Sequence, residues 1–288
     1  MIPSSFDYRA ADTVGEAAAL LDEYGDEAKL MAGGQSLLPL LKLRFAAPGL
    51  VVDLGRLEEL RRVEANGSVR VGAMVTHDQM GRSAVLRELF PLIADAAADI
   101  ADPLVRNRGT FGGSLAHADP AGDWPAVALA LGAVLHAESR TGAREIPVDG
   151  FFTDVFTSAL AGNEVLTRIE LPSPEPGTRS AYIKIPNPAS GYAVAGAAAV
   201  LTVDPDGICR SARVAVTGVA SVPYRAAATE AALVGRELTP TVLHGAADAA
   251  GDGVEPLSDG FAPGPYRAHL ATVVTRRALQ RALSSPNG

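Results

Sequence analysis

The chain of 288 residues is poor in several things, and each shortage excludes a class of function. It has one cysteine, Cys209, so it can form no internal disulfide and cannot by itself ligate an iron–sulfur cluster. The histidines, His77, His117, His136, His244 and His269, form no His-x-x-x-His pair and there is no Cys-x-x-Cys, so no metal site is expected on this chain. Basic residues are outnumbered 25 to 33, giving a net charge of −8, so no positive field gathers nucleic acid. Lysine is scarcer still, with only Lys29, Lys42 and Lys184, which makes each of them a candidate for a specific role. The longest apolar runs, 126–135 and 192–203, fall short of the roughly 20 residues of a bilayer span. The first residues, MIPSSFDYRAAD, lack a basic start followed by an apolar run, so no signal peptide is expected and the expected compartment is a reducing cytoplasm.

What is present is an ordinary globular composition, 48% hydrophobic and 20% charged, with glycine and proline gathered into short turn-like clusters. Thr13-x-x-Glu16 reads as a capping box before a helix whose apolar face is Val14, Ala17, Ala18 and Leu21. Lys29–Ala32 reads as a short strand, Gly33-Gly34 as a turn, Ser36 as the N-cap of a helix over Leu37–Phe45, and Leu50–Leu54 as the next strand. Strands are also expected at 68–75, 134–138 and 164–171, and a helix over 85–102. Residues 103–123 carry no helix or strand period and read as one long functional loop. PSPEPG at 172–177 marks a linker, and beyond it three antiparallel strands, 181–185, 192–203 and 208–219, precede two or three helices, with DPDG at 204–207 as a hairpin turn.

Two glycine-rich segments carry the chemistry. Met31-Ala-Gly-Gly-Gln-Ser36 sits between a strand and a helix, where a backbone without side chains can approach a diphosphate and point successive N–H groups at it. Arg108-Gly-Thr-Phe-Gly-Gly-Ser-Leu115 is a second such loop with two hydroxyls. Each alone reads more readily as a tight corner or a glycine-rich surface loop than as a ligand site, and neither matches the Rossmann or Walker pattern.

Together, AGGQSLLPLLKLR at 32–44 and GTFGGSLAHADPAGDWP at 109–125 resemble the FAD-binding medium subunit of the molybdenum hydroxylases, the family of carbon monoxide and xanthine dehydrogenases, and the similarity runs the length of the chain. The resemblance implies an α+β fold: a two-part FAD-binding domain of the PCMH, vanillyl-alcohol oxidase-like, type over 1–55 and 56–175. A small C-terminal domain, a three-stranded antiparallel sheet with helices, would follow over 176–288. It implies FAD as cofactor. Lys29, Leu30, Met31, Ala32, Gly33, Gly34, Gln35, Ser36 and Leu37 would line the diphosphate and adenosine side, and Thr110, Phe111, Gly112, Gly113 and Ser114 would supply a second set of phosphate contacts. Asp123 would hold FAD hydroxyls, Ile100 would lie against the cofactor, Leu166 and Lys184 near the flavin carbonyls, and Tyr192 over the ring.

No residue of the chain is assigned a catalytic role, and His117 and Asp119 are expected to shape their loop. A large molybdenum-cofactor subunit and a small iron–sulfur subunit with 2Fe-2S clusters are the implied partners, with NAD, quinone or oxygen as final acceptor. Gln35 departs from the pattern, standing where carbon monoxide dehydrogenases commonly carry His. The alternatives are a self-sufficient flavin reductase or oxidase of the same fold, or a non-catalytic FAD binder.

Overall fold

The computed structural model describes residues 2–284. The N-terminal region is a parallel three-stranded sheet built from β1 (Asp7–Ala10), β2 (Ala28–Met31) and β3 (Leu50–Asp53), in the order β1-β3-β2. Helix α1 (Val14–Tyr24) crosses from β1 to β2 and buries Ala17, Ala18, Leu20 and Leu21. Its expected capping box is formed in modified shape: the Thr13 hydroxyl accepts from the Glu16 N–H, whereas the Glu16 carboxylate reaches back past the cap to the Asp12 N–H. Helix α2 (Leu37–Leu43) joins β2 to β3.

The middle region rests on a five-stranded antiparallel sheet, order β4-β5-β10-β6-β7. Its strands are β4 (Val63–Asn66), β5 (Ser68–Gly72), β6 (Val134–Ser139), β7 (Gly142–Pro147) and β10 (Val165–Leu171), and β8 (Phe152–Asp154) and β9 (Thr157–Ser158) form a separate hairpin. The helices α3 (His77–Arg82), α4 (Ala84–Leu89), α5 (Pro91–Asp99), α6 (Pro103–Arg106), α7 (Phe111–His117) and α8 (Asp123–Leu131) all lie between β5 and β6.

Two expectations are corrected here. The helix expected over 85–102 is two helices, because Phe90 leaves the helical region at φ −137 and Pro91 opens a new first turn where its missing N–H costs nothing. The segment 103–123 is not one loop. Asp102 caps α6 by accepting from the Val105 N–H, and Thr110 caps α7 by accepting from the Gly113 N–H, so two short helices form despite their glycines. Runs of four and seven residues are too short to print a helical period.

The C-terminal region carries β11 (Thr178–Pro186), β12 (Ala193–Val203) and β13 (Cys209–Thr217), and a two-residue fourth strand, β14 (Tyr224–Arg225), extends the expected trio at its edge. Helices α9 (Ala227–Leu233), α10 (Pro240–Asp248) and α11 (Gly264–Ser284) follow. β12 is apolar except for Thr202 because both faces are covered: Ala198 joins the core of the middle region while Ala197 and Ala199 join the core beneath α11. No helix among the described residues is long and apolar enough to cross a membrane.

Candidate functional site

The two glycine segments meet each other. A Cβ built on Gly33 would lie 2.0 Å from the Arg108 carbonyl oxygen, and one on Gly113 would lie 3.4 Å from Ala32 Cβ, so the N-terminal and middle regions are seamed along these loops. Glycine at 33 is required first by this backbone-on-backbone approach.

The loops differ in what they leave unpaired. Among the described residues, no acceptor of the chain receives the N–H of Gly33, Gly34, Gln35 or Ser36. Four successive donors, with Gly34 buried and the others half-buried, call for an anion or another acceptor from outside. Ser36 does not make the cap expected of it: its backbone is helical, and no N–H of α2 donates to its hydroxyl.

The second loop has the opposite character. Phe111 N–H donates to Val75 O, Gly112 N–H to Ala73 O, Gly113 N–H to Thr110 Oγ1 and Ser114 N–H to Thr110 O. The expectation that residues 110–114 present a second amide cradle is therefore corrected: those amides build α7 and hold it to the strand end at 73–75. The Phe111 ring is in the core, edge-on to Trp124 at 5.2 Å, and Gly112 is pressed against Ala73. What this loop has left to offer a ligand is the hydroxyl of Ser114 and the N–H of Thr110.

Behind the second loop, His77 accepts from the Trp124 indole N–H at 2.8 Å through Nδ1, and its ring lies against Gly109. Burial, with the charge of Arg106 acting the same way, holds its pKa down to about 4, so the ring is neutral. Nothing in the sequence pattern marks this pair.

Lys184 and Asp123, expected beside a cofactor, are found bonded to each other. The ammonium is 2% exposed and places its three donors on Asp99 O at 2.7 Å, Gly191 O at 2.9 Å and Asp123 Oδ2 at 3.1 Å. The other oxygen of Asp123 accepts from the Tyr182 hydroxyl at 2.5 Å. Burial pushes the Asp123 carboxyl up to about 6 even with the Lys184 ammonium alongside. Every proton of Lys184 is in use inside the chain, so this lysine acts on a neighbouring group through its charge and through the segments it ties together, α5, α8 and the 187–192 turn. Sequence patterning missed Tyr182 and Asp99, since nothing in their spacing announces a shared buried cation.

The remaining expected residues divide by depth. Ile100 and Leu166 are buried in the middle core, 8% and 6% exposed, Leu166 beside a register shift in β10. Lys29 is exposed on β2, Leu30 is packed partly against the N-terminal core, and Met31 and Leu37 are half-buried. Tyr192 stands at the turn before β12 with its side chain by Ser36; burial, and after it the nearby Asp119 carboxylate, raise its phenol. Asp119 itself receives the Ala121 N–H at 2.9 Å, and His117 stacks obliquely on Phe156, so both shape the loop between α7 and α8. Among the described residues no group of histidine, cysteine or carboxylate side chains could hold a metal ion.

Comparison with known proteins agrees with this geometry. Residues 4–174 match the FAD binding domain in molybdopterin dehydrogenase, and residues 180–282 match the CO dehydrogenase flavoprotein C-terminal domain. The chain is 40% identical over 283 residues to the carbon monoxide dehydrogenase medium chain of Hydrogenophaga pseudoflava, covering 98% of each. It is 36% identical over 276 residues to the nicotine 6-hydroxylase medium subunit of Paenarthrobacter nicotinovorans, covering 96% of each. Carbon monoxide dehydrogenase from Hydrogenophaga pseudoflava, solved without the Mo-pyranopterin moiety of its cofactor, superposes with a TM-score of 0.95 at 42% identity over 99% of both chains. Quinoline 2-oxidoreductase from Pseudomonas putida 86 gives 0.92 at 33% identity over the whole of both. With a matched FAD-binding domain over more than half its length and relatives this similar from end to end, the chain belongs to the flavoprotein family of the molybdopterin dehydrogenases, as an FAD-binding oxidoreductase subunit.

Proposed function

We propose that this chain is the electron-transfer subunit of a cytoplasmic molybdenum hydroxylase complex, taking electrons from a 2Fe-2S partner subunit and passing them from FAD to an external acceptor such as NAD, quinone or oxygen. The observation that carries the reading is the run of four unpaired amides at Gly33–Ser36, on the seam between the N-terminal and middle regions. When bound, FAD supplies a two-electron store that can be filled one electron at a time. The chain's residues do the holding. The 33–36 amides suit the diphosphate, with Ser114 and Thr110 across the seam, and a bound diphosphate would tie the two regions together. The buried Lys184–Asp123 pair fixes the position of one positive charge, which favours a reduced, anionic ring over an oxidised one. Tyr192, projecting beside Ser36 from the third region, suits cover for a planar ligand. A lone buried cysteine agrees with clusters that belong to another subunit.

The test is co-production with a large molybdenum-cofactor subunit and a small iron–sulfur subunit of the same family from the source organism. The purified complex should carry about one FAD per copy of this chain, and substrate should bleach the flavin only when the iron–sulfur subunit is present. A complete, folded complex that lacks flavin and refuses added FAD contradicts the reading.

A further inference from the structure

Helix α5 ends at Asp99, and the three successive carbonyls of Asp99, Ile100 and Ala101 are all held by cations. Lys184 donates to Asp99 O, and Arg106 places Nη1 on both Ile100 O and Ala101 O, each at 2.9 Å. A helix C-terminus leaves carbonyls without intrahelical partners and carries the negative end of the dipole, so cations suit the position. The local sequence brings Arg106 there. Asp102 caps α6, Pro103 opens it, and one turn later Arg106 comes back over the two residues that precede the cap.

Between the two cations the backbone is strained. Ala101 stands at φ +41, in the left-handed region that glycine enters freely and alanine rarely does. Such settings persist only where the surroundings impose them, and they gather at functional sites. Here the surroundings are the Arg106 guanidinium on the Ala101 carbonyl and the 187–192 turn against its backbone, where a Cβ built on Gly191 would lie 3.6 Å from Ala101 Cα.

This segment meets the neighbours of the first glycine loop at both ends. Gly191 precedes Tyr192, whose phenol lies by Ser36, and at the other end the Arg108 carbonyl meets Gly33. Arg106 stands between them in the chain, and its charge reaches His77 behind the second loop. Ile100, the residue expected against the cofactor, is at the head of the segment and 8% exposed.

We infer, on the reading above that this chain binds FAD, that Arg106 is a positioning residue of the FAD site: it clamps Ile100 and Ala101 in the strained turn and so sets Ile100 against the flavin ring. Without the clamp, Ala101 relaxes to negative φ and the chain changes direction at Ile100, which withdraws from the ring and lets water in beside it. The guanidinium acts only through the backbone. Glycine at 101, which holds a left-handed turn unaided, should therefore make it dispensable.

The experiment uses the assembled complex carrying Arg106→Met, Arg106→Met/Ala101→Gly, Ile100→Ala, or Ile100→Ala/Arg106→Met. Affinity for FAD is measured by reconstitution of deflavinated complex, the fine structure of the flavin absorption band reports water at the ring, and the thermal midpoint reports the fold. Arg106→Met should weaken FAD about tenfold and blur the band, the scale of a lost charge-assisted contact. Adding Ala101→Gly should bring affinity back to within about threefold of wild type and restore the band. In the Ile100→Ala background, Arg106→Met should weaken FAD no further, because both changes remove the same contact. The inference is overturned if Arg106→Met leaves affinity within about twofold of wild type, if Ala101→Gly recovers nothing, or if the Ile100 and Arg106 effects add. Should Arg106→Met fail to fold, a folded, FAD-binding Arg106→Met/Ala101→Gly complex supports the clamp and an unfolded one overturns it. A wild-type complex that takes up no FAD contradicts the proposed function instead, and recovery or not of the thermal midpoint by Ala101→Gly still decides whether Arg106 acts through Ala101.

Discussion

The two glycine loops look alike as sequence and do opposite work. In the first, glycine lets the chain turn so tightly that four amides in a row, Gly33–Ser36, find no partner. In the second, Gly109, Gly112 and Gly113 let His77, Ala73 and Thr110 approach to distances no side chain would allow, and every amide from Phe111 to Ser114 is bonded. Glycine density therefore reports closeness of backbone, and only the hydrogen-bond inventory tells whether the thing brought close is a ligand or the protein itself.

The largest effect tests the buried pair that stands behind the second loop. Lys184→Met leaves the Asp123 carboxyl without its cation in a site that already disfavours charge, and should cost about 3–5 kcal/mol, read as a fall in unfolding midpoint. An unchanged midpoint would mean that the pair is not buried as described.

Gly33→Ala comes next, because its methyl meets the Arg108 carbonyl and must part the two loops. A loss of about 1–3 kcal/mol in stability is expected together with loss of flavin. Wild-type stability would show that the loops do not touch. The pair Thr110→Val and Ser36→Ala then separates the loops directly. The first removes a helix cap and should lose about 1 kcal/mol. The second removes no cap and should leave stability within about 0.5 kcal/mol while lowering affinity for FAD. Equal stability losses in the two variants would erase the distinction drawn here.

The smallest effect at neutral pH is that of His77. Its folded pKa lies near 4 against an ordinary 6.5, so the folded state resists protonation. The resulting stability is present above pH 6.5 and drains away as pH falls toward 4, by at most about 3 kcal/mol. His77→Gln should unfold more easily at pH 7 yet lose less stability between pH 6.5 and 4 than wild type, as followed by thermal denaturation across that range. Parallel curves would place the acid-sensitive group elsewhere.

Much of the architecture is legible in the residues. The β–α–β order around Gly33-Gly34, the apolar run of β12 and the proline-rich join at 172–177 each follow from period or from turn chemistry. The polar edge strands β4 and β7 are not legible, since VEAN and GAREIP bury little and carry no alternation of apolar side chains. Helices α6 and α7 are hidden by their glycine and proline, because their stability comes from Asp102 and Thr110 as caps. At the site, the glycine loops and the scarce lysine were visible, but their bonding was not. That Lys184 gives its protons to Asp99 and Asp123, as well as to nearby Gly191, depends on contacts between positions 85 and 61 residues apart. Only the fold brings them together.

The central claim, that the first loop binds FAD through amides the second loop does not offer, can be read from hydrogen exchange of the assembled complex with and without FAD. The amides of Gly33–Ser36 should exchange freely in the deflavinated complex and become protected when FAD is added, while those of Phe111–Ser114 should be slow in both states. Protection at 33–36 that is already complete without FAD, or that does not change when FAD binds, would contradict the account.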